Sequence, residues 1–118
     1  MNPETRIQNR ILLALSEAGC TVWRNETAGA WVGKQIHRDG DQVTLTNAHM
    51  MTFGLAVGSS DIIGIHNATG RFLAIEVKTP KGRPTKEQLR FIEAVRAAGG
   101  IAGIARSVEE ALDLIRRG

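Results

Sequence analysis

The chain has 118 residues, 42% of them apolar and 23% charged, values ordinary for one globular domain with a single core. Its formal charge of +3 and pI near 9.6 suit a polyanionic partner without requiring one. A lone cysteine excludes an internal disulfide and a Cys-rich zinc site, and no apolar run approaches the roughly 18 residues of a membrane span.

In chain order, Pro3 to Ala18 predicts an amphipathic helix. Ile7, Ile11, Ala14, Leu15 and Ala18 recur at helical spacing, and Gly19 ends it. Cys20 to Arg24 predicts a short strand, with Cys20 a buried thiol. From Asn25 to Ser60 the periodicity fades among Gly29, Gly33, Gly40, Gly54 and Gly58. This stretch reads as a glycine-rich functional loop with a short hairpin around Asp39-Gly40.

Asp61–His66 and Arg71–Lys78 then predict two central strands joined by the turn Asn67–Gly70, because apolar residues fill both faces. Thr79–Pro84 is a loop. Thr85 and Gln88 form a capping box opening a helix that buries Leu89, Ile92 and Val95 and stops at Gly99-Gly100. Ile101–Ala105 is a short buried strand. Ser107 and Glu110 make a second capping box, opening a helix with Val108, Ala111, Leu112 and Ile115 inward. The expected fold is α/β, a mixed central sheet flanked by helices, with residues 1–118 forming one domain.

The hairpin register carries the chemistry. Pairing His66 with Arg71 across the turn sets Ile65 opposite Phe72, Ile63 opposite Ala74 and Asp61 opposite Glu76. Opposed residues share a face, and alternation puts Lys78 on the face of Glu76. Two facing carboxylates repel unless something compensates them, and a divalent cation does so. Such an ion activates water for attack on phosphorus, with Lys78 offsetting the growing negative charge. The competing reading of these three residues is an ordinary salt bridge at a sheet end.

Gly58-Ser59-Ser60-Asp61, then Glu76-Val77-Lys78, then Gly82 and Gln88, together resemble the PD-(D/E)XK nuclease superfamily. Within it they are similar to the VRR-NUC (virus-type replication-repair nuclease) group, over nearly the whole chain. The resemblance implies a restriction-endonuclease-like fold and hydrolysis of DNA phosphodiester bonds with Mg2+ or Mn2+. It implies that Asp61, Glu76 and the Val77 carbonyl hold the metal, and that Lys78 is the catalytic lysine. It also implies that Glu4 reaches the metal, often through water, and that Gln88 lies near the site. Ser60 stands where the superfamily carries a proline. Glu4 is also favoured simply as an acid at a helix N-terminus, and Gln88 as a cap.

Phosphate contacts require cations and polar donors rather than a base code. The candidates are Arg24, Lys34, Arg38, Lys81, Arg83 and Lys86, with Ser59 and Ser60 as hydroxyl donors and Trp31 to stack on an unpaired base. His37, His49 and His66 lack ligand spacing, so a zinc or His-metal site is not expected. The small stand-alone relatives resemble junction resolvases, which implies branched DNA as substrate and a homodimer with paired active sites. Alternatives are a flap or single-strand cutter, a nickase, or a DNA-binding module without turnover. No membrane partner or small-molecule cofactor is expected, and a cytoplasmic location follows by default.

Overall fold

The structure is a computed structural model that describes residues 1–26 and 28–118. Its elements are α1 (Pro3–Glu17), β1 (Cys20–Arg24), β2 (Ala28–Asp39), β3 (Gln42–Phe53), β4 (Ile62–His66), β5 (Arg71–Val77), α2 (Lys86–Ala97), β6 (Ile101–Ala105) and α3 (Val108–Arg117). The main sheet runs β1-β4-β5-β6, antiparallel except for the β5–β6 pair, whose parallel connection passes through α2.

The apolar patterns dictate this order. Leu73, Ala74, Ile75 and Val77 are all fully buried, so β5 is covered on both faces and sits centrally. Its turn to β4 has the register expected from the sequence, with His66 opposite Arg71, Ile65 opposite Phe72 and Ile63 opposite Ala74. Gly64 admits close approach of β1, since a Cβ there would collide with the Thr21 carbonyl and Val22.

One sheet face packs on α1 and α3 through Ile11, Leu15, Cys20, Ile62, Leu73, Ile75, Val77, Ile101, Ala105 and Ala111. The other packs on α2 through Ala74, Ile92, Val95 and Ala102. α2 contacts chiefly β5 and β6, and Trp23 of β1 (53%), Ile65 of β4 (40%) and Phe72 at the start of β5 (40%) stay exposed. Leu89, expected in the buried stripe, is 45% exposed. Among the described residues, no helix is long and apolar enough to cross a membrane.

The helix caps follow the sequence with one correction. Thr85 and Gln88 make both bonds of a capping box. Ser107 accepts from the Glu110 N–H, but Glu110 reaches back to the Arg106 N–H at 2.7 Å instead of closing the box on Ser107. On α3, Leu114 packs against the core and against Gly103.

The stretch read as a glycine-rich loop is a long antiparallel ribbon. β2 and β3 pair from Ala28–Phe53 to Asp39–Gln42, with Gly40 at φ +59° in the turn. Twelve-residue strands span roughly 40 Å, and they contact each other far more than the body. Register shifts between Val32 and Lys34 and between Gln35 and His37, with Asn47 at φ +54°, break the period-two pattern. That break hid the strands in the sequence.

Candidate active site

The site lies where β4 begins and β5 ends. Asp61, one residue before β4, accepts the Val77 N–H on Oδ2 at 2.9 Å, which ties it to the residue beside Glu76. Glu76 is 1% exposed, and its Oε2 has no hydrogen-bond partner among the described residues. Burial, then a hydrogen bond with Asp61 and the charges of Asp61 and Glu4, push the Glu76 carboxyl up to about 9, against the opposing pull of Lys78. Those influences place Glu4, Asp61 and Lys78 within electrostatic reach of Glu76. The salt-bridge alternative is absent: neither acid pairs with Lys78 among the described ion pairs.

A cleft of about 440 Å³ opens over Asp61, lined by Thr5, Gln8, Arg24, Asn25, Glu26, Gly58, Ser59 and Gln88. Gln88 faces this cleft while its Oε1 accepts the Thr85 N–H at 2.9 Å. Its capping and cleft-lining roles therefore coexist. Gly58, at φ +86°, brings the loop before Asp61 onto the first turn of α2; a Cβ there would lie 2.5 Å from the Glu87 carbonyl carbon.

The other candidate contacts separate. Arg24 and Ser59 line the cleft. Ser60 is 1% exposed, its hydroxyl turned away from solvent and without a partner among the described residues, so it presents no donor to a phosphate in this conformation. Lys81 and Arg83 are exposed in the loop after Lys78, and Lys86 is exposed at the start of α2. Trp31, Lys34 and Arg38 lie on the ribbon. Lys34 pairs with Thr46 and Arg38 with Val43, on either side of the register shift between Gln35 and His37. His37 and His49 are exposed on the ribbon, and His66 Nδ1 sits 2.8 Å from Thr69 Oγ1.

Two sets of contacts that the sequence did not foretell fasten the site loops. Asn25 Nδ2 donates to Ser59 Oγ at 2.7 Å and to the Ser60 carbonyl at 2.9 Å. Arg106 Nη2 donates to the Gly82 carbonyl at 2.8 Å, holding the loop after Lys78. Both donors follow edge strands, and no sequence spacing ties them to segments 34 and 24 residues away.

An orphaned carboxylate oxygen beside a second carboxylate is a donor set that fits a hard divalent cation. No group of three or more His, Cys, Asp or Glu side chains suited to a metal occurs among the described residues. The charge of Glu4 acts on Glu76, and a cation here would draw further oxygens from backbone, water and substrate.

The model of the VRR-NUC domain family matches residues 43–109, more than half of the chain. Among solved structures, the chain is similar to one described as a VRR_NUC domain, at 19% identity and a TM-score of 0.60, covering 98% of this chain and 97% of that one. No curated protein matches the chain.

Proposed function

The chain belongs to the VRR-NUC domain family, a family of nucleases, and from that premise we propose that it is a Mg2+- or Mn2+-dependent DNA endonuclease centred on Asp61, Glu76 and Lys78. The observation that carries this reading is the buried Glu76 carboxyl, unpartnered at Oε2 and facing Asp61. Burying the Glu76 carboxyl with one oxygen unsatisfied is costly to the fold, which points to a use other than stability.

In this reading Asp61, Glu76 and the Val77 carbonyl hold the cation. Bound there, the ion would supply an activated water and charge neutralisation at the scissile phosphate. Lys78 orients the attacking water and offsets charge on the pentavalent phosphorus. Glu4 acts from the first turn of α1 through water, and Gln88 positions groups in the cleft. Arg24 and Ser59 contact the phosphate backbone in the cleft, and Lys81, Arg83 and Lys86 extend that contact along the loop and α2. Lys34, Arg38 and Trp31 engage DNA from the ribbon, and Ser60 supports the Asp61 loop from within.

The proposed substrate is branched DNA, such as a four-way junction, cut by a homodimer. Exposed apolar side chains support dimer formation: Trp31 at 65% and Met50 at 52% face each other on the ribbon, and Trp23, Ile65 and Phe72 lie bare on the sheet. A two-stranded ribbon is marginal without packing. Residues 1–118 would act as one domain. Cleavage of labelled junction, flap, single-stranded and duplex DNA with magnesium tests the reading. Paired cuts on the junction are expected, and no cleavage of any substrate would refute it.

A further inference from the structure

Resting on the nuclease reading, we infer that Asn25 is a positioning residue for Asp61, acting from the edge strand across to the segment that carries the site. Asp61 lies outside the strands: β4 begins at Ile62. Its backbone therefore lacks the strand pairing that holds Glu76 to Ile104 of β6. Three hydrogen bonds from Asn25 supply the missing restraint. The Asn25 N–H donates to the Asp61 carbonyl at 2.8 Å, extending the β1–β4 pairing by one step. The two hydrogens of Nδ2 go to Ser59 Oγ at 2.7 Å and the Ser60 carbonyl at 2.9 Å.

The Asn25 amide thus grips the two residues before Asp61 while its backbone grips Asp61 itself. Val77 completes the set from the other side by fixing Oδ2. The segment has other anchors as well. Gly58 rests on Glu87 of α2, and the Ser59 N–H donates to the Ala56 carbonyl at 3.0 Å. The Asn25 bonds act directly on Ser60 and Asp61. An amide is the side chain that does this without cost nearby: it carries two donors and no charge, whereas a carboxylate at the same place would repel Asp61 and Glu76. Losing orientation at a reacting centre lowers turnover more than substrate affinity.

The test compares Asn25→Ala and Asn25→Asp with the unaltered chain, with Asp61→Ala in parallel. Folding is followed by a cooperative melt, cleavage by kcat and KM on the best DNA substrate, and metal binding by calorimetry with Mn2+ alone. Positioning predicts a kcat reduced at least about 10-fold with KM within about 3-fold, and Mn2+ bound more weakly, for folded protein. Asn25→Asp keeps the size and removes the donors, so it serves if the alanine variant does not fold, with the same losses expected. Unchanged kcat and Mn2+ affinity per folded molecule, with only a lowered Tm, would overturn the inference. Inactivity of the unaltered chain would instead remove the nuclease reading beneath it.

Discussion

The Val77 N–H donates to Asp61 Oδ2 at 2.9 Å, so the residue between Glu76 and Lys78 directly aims the carboxylate that faces them. This bond closes the hairpin at its site end and commits one Asp61 oxygen to structure. Asp61 also meets the Glu76 carboxyl, which brings a second acid to the same place without an internal partner for Oε2 among the described residues. Asp61 thereby serves both the fold and the chemistry.

That double role makes Asp61→Asn informative. The asparagine oxygen still accepts from Val77, so the variant is expected to fold with a melting temperature near that of the unaltered chain. Removing the charge should cut the cleavage rate at least about 100-fold, because the charge acts chiefly in the transition state. Rates on labelled DNA beside a thermal melt check both halves.

Lys78→Ala should lose a similar factor of about 100 or more in kcat while remaining folded, since Lys78 is only half-buried and makes no ion pair among the described residues. Full activity in this variant would remove the lysine from the mechanism.

Glu76 predicts an unusual pH dependence for metal-free protein. Its folded carboxyl titrates at about 9, above the ordinary 4.5. Between those values the folded chain keeps a proton that the unfolded chain has released. This contribution to stability is full below about 4.5 and is lost as pH rises toward 9. Glu76→Gln, which cannot ionise, should show a flatter profile and be more stable at pH 8 by on the order of a few kcal/mol. Denaturant melts from pH 5 to 9 without metal decide this.

The β4–β5 hairpin was legible because Asn67–Gly70 is a compact turn and apolar residues fill both flanking strands, which leaves one register that buries them. From that register the facing of Asp61 and Glu76 follows by counting. The ribbon was not legible, because its bulges beside Gly33 and Ile36 shift the alternation and its side chains are exposed on both faces. Leu89 was misplaced because helical spacing reports which face a residue occupies, while α2 sits over only part of the sheet. The Asn25 and Arg106 contacts depend on which strands become edges, and that is decided only when the sheet assembles.

Gly58 offers a stability test in the loop before Asp61. Gly58→Ala combines a φ of +86° with a Cβ 2.5 Å from the Glu87 carbonyl carbon. The expected cost is about 1–3 kcal/mol, read by denaturant melts. Activity should fall as well, since the displaced loop leads into Asp61.

The ribbon governs assembly in the proposed dimer. Trp31→Glu places a charge on an exposed side chain opposite Met50, so the fold should survive while association weakens. Sedimentation should show a dimer for the unaltered chain and a monomer for the variant. Junction cleavage should then change from paired cuts to single nicks.

Calorimetric titration of Mn2+ into the unaltered chain, Asp61→Asn and Glu76→Gln addresses the shared cation most directly. A site bridged by both acids should bind in the unaltered chain and release about one proton per ion at neutral pH, as Glu76 gives up its hydrogen. Each variant should lose that binding event. Equal Mn2+ affinity in all three proteins, or none in the unaltered chain, would contradict the account.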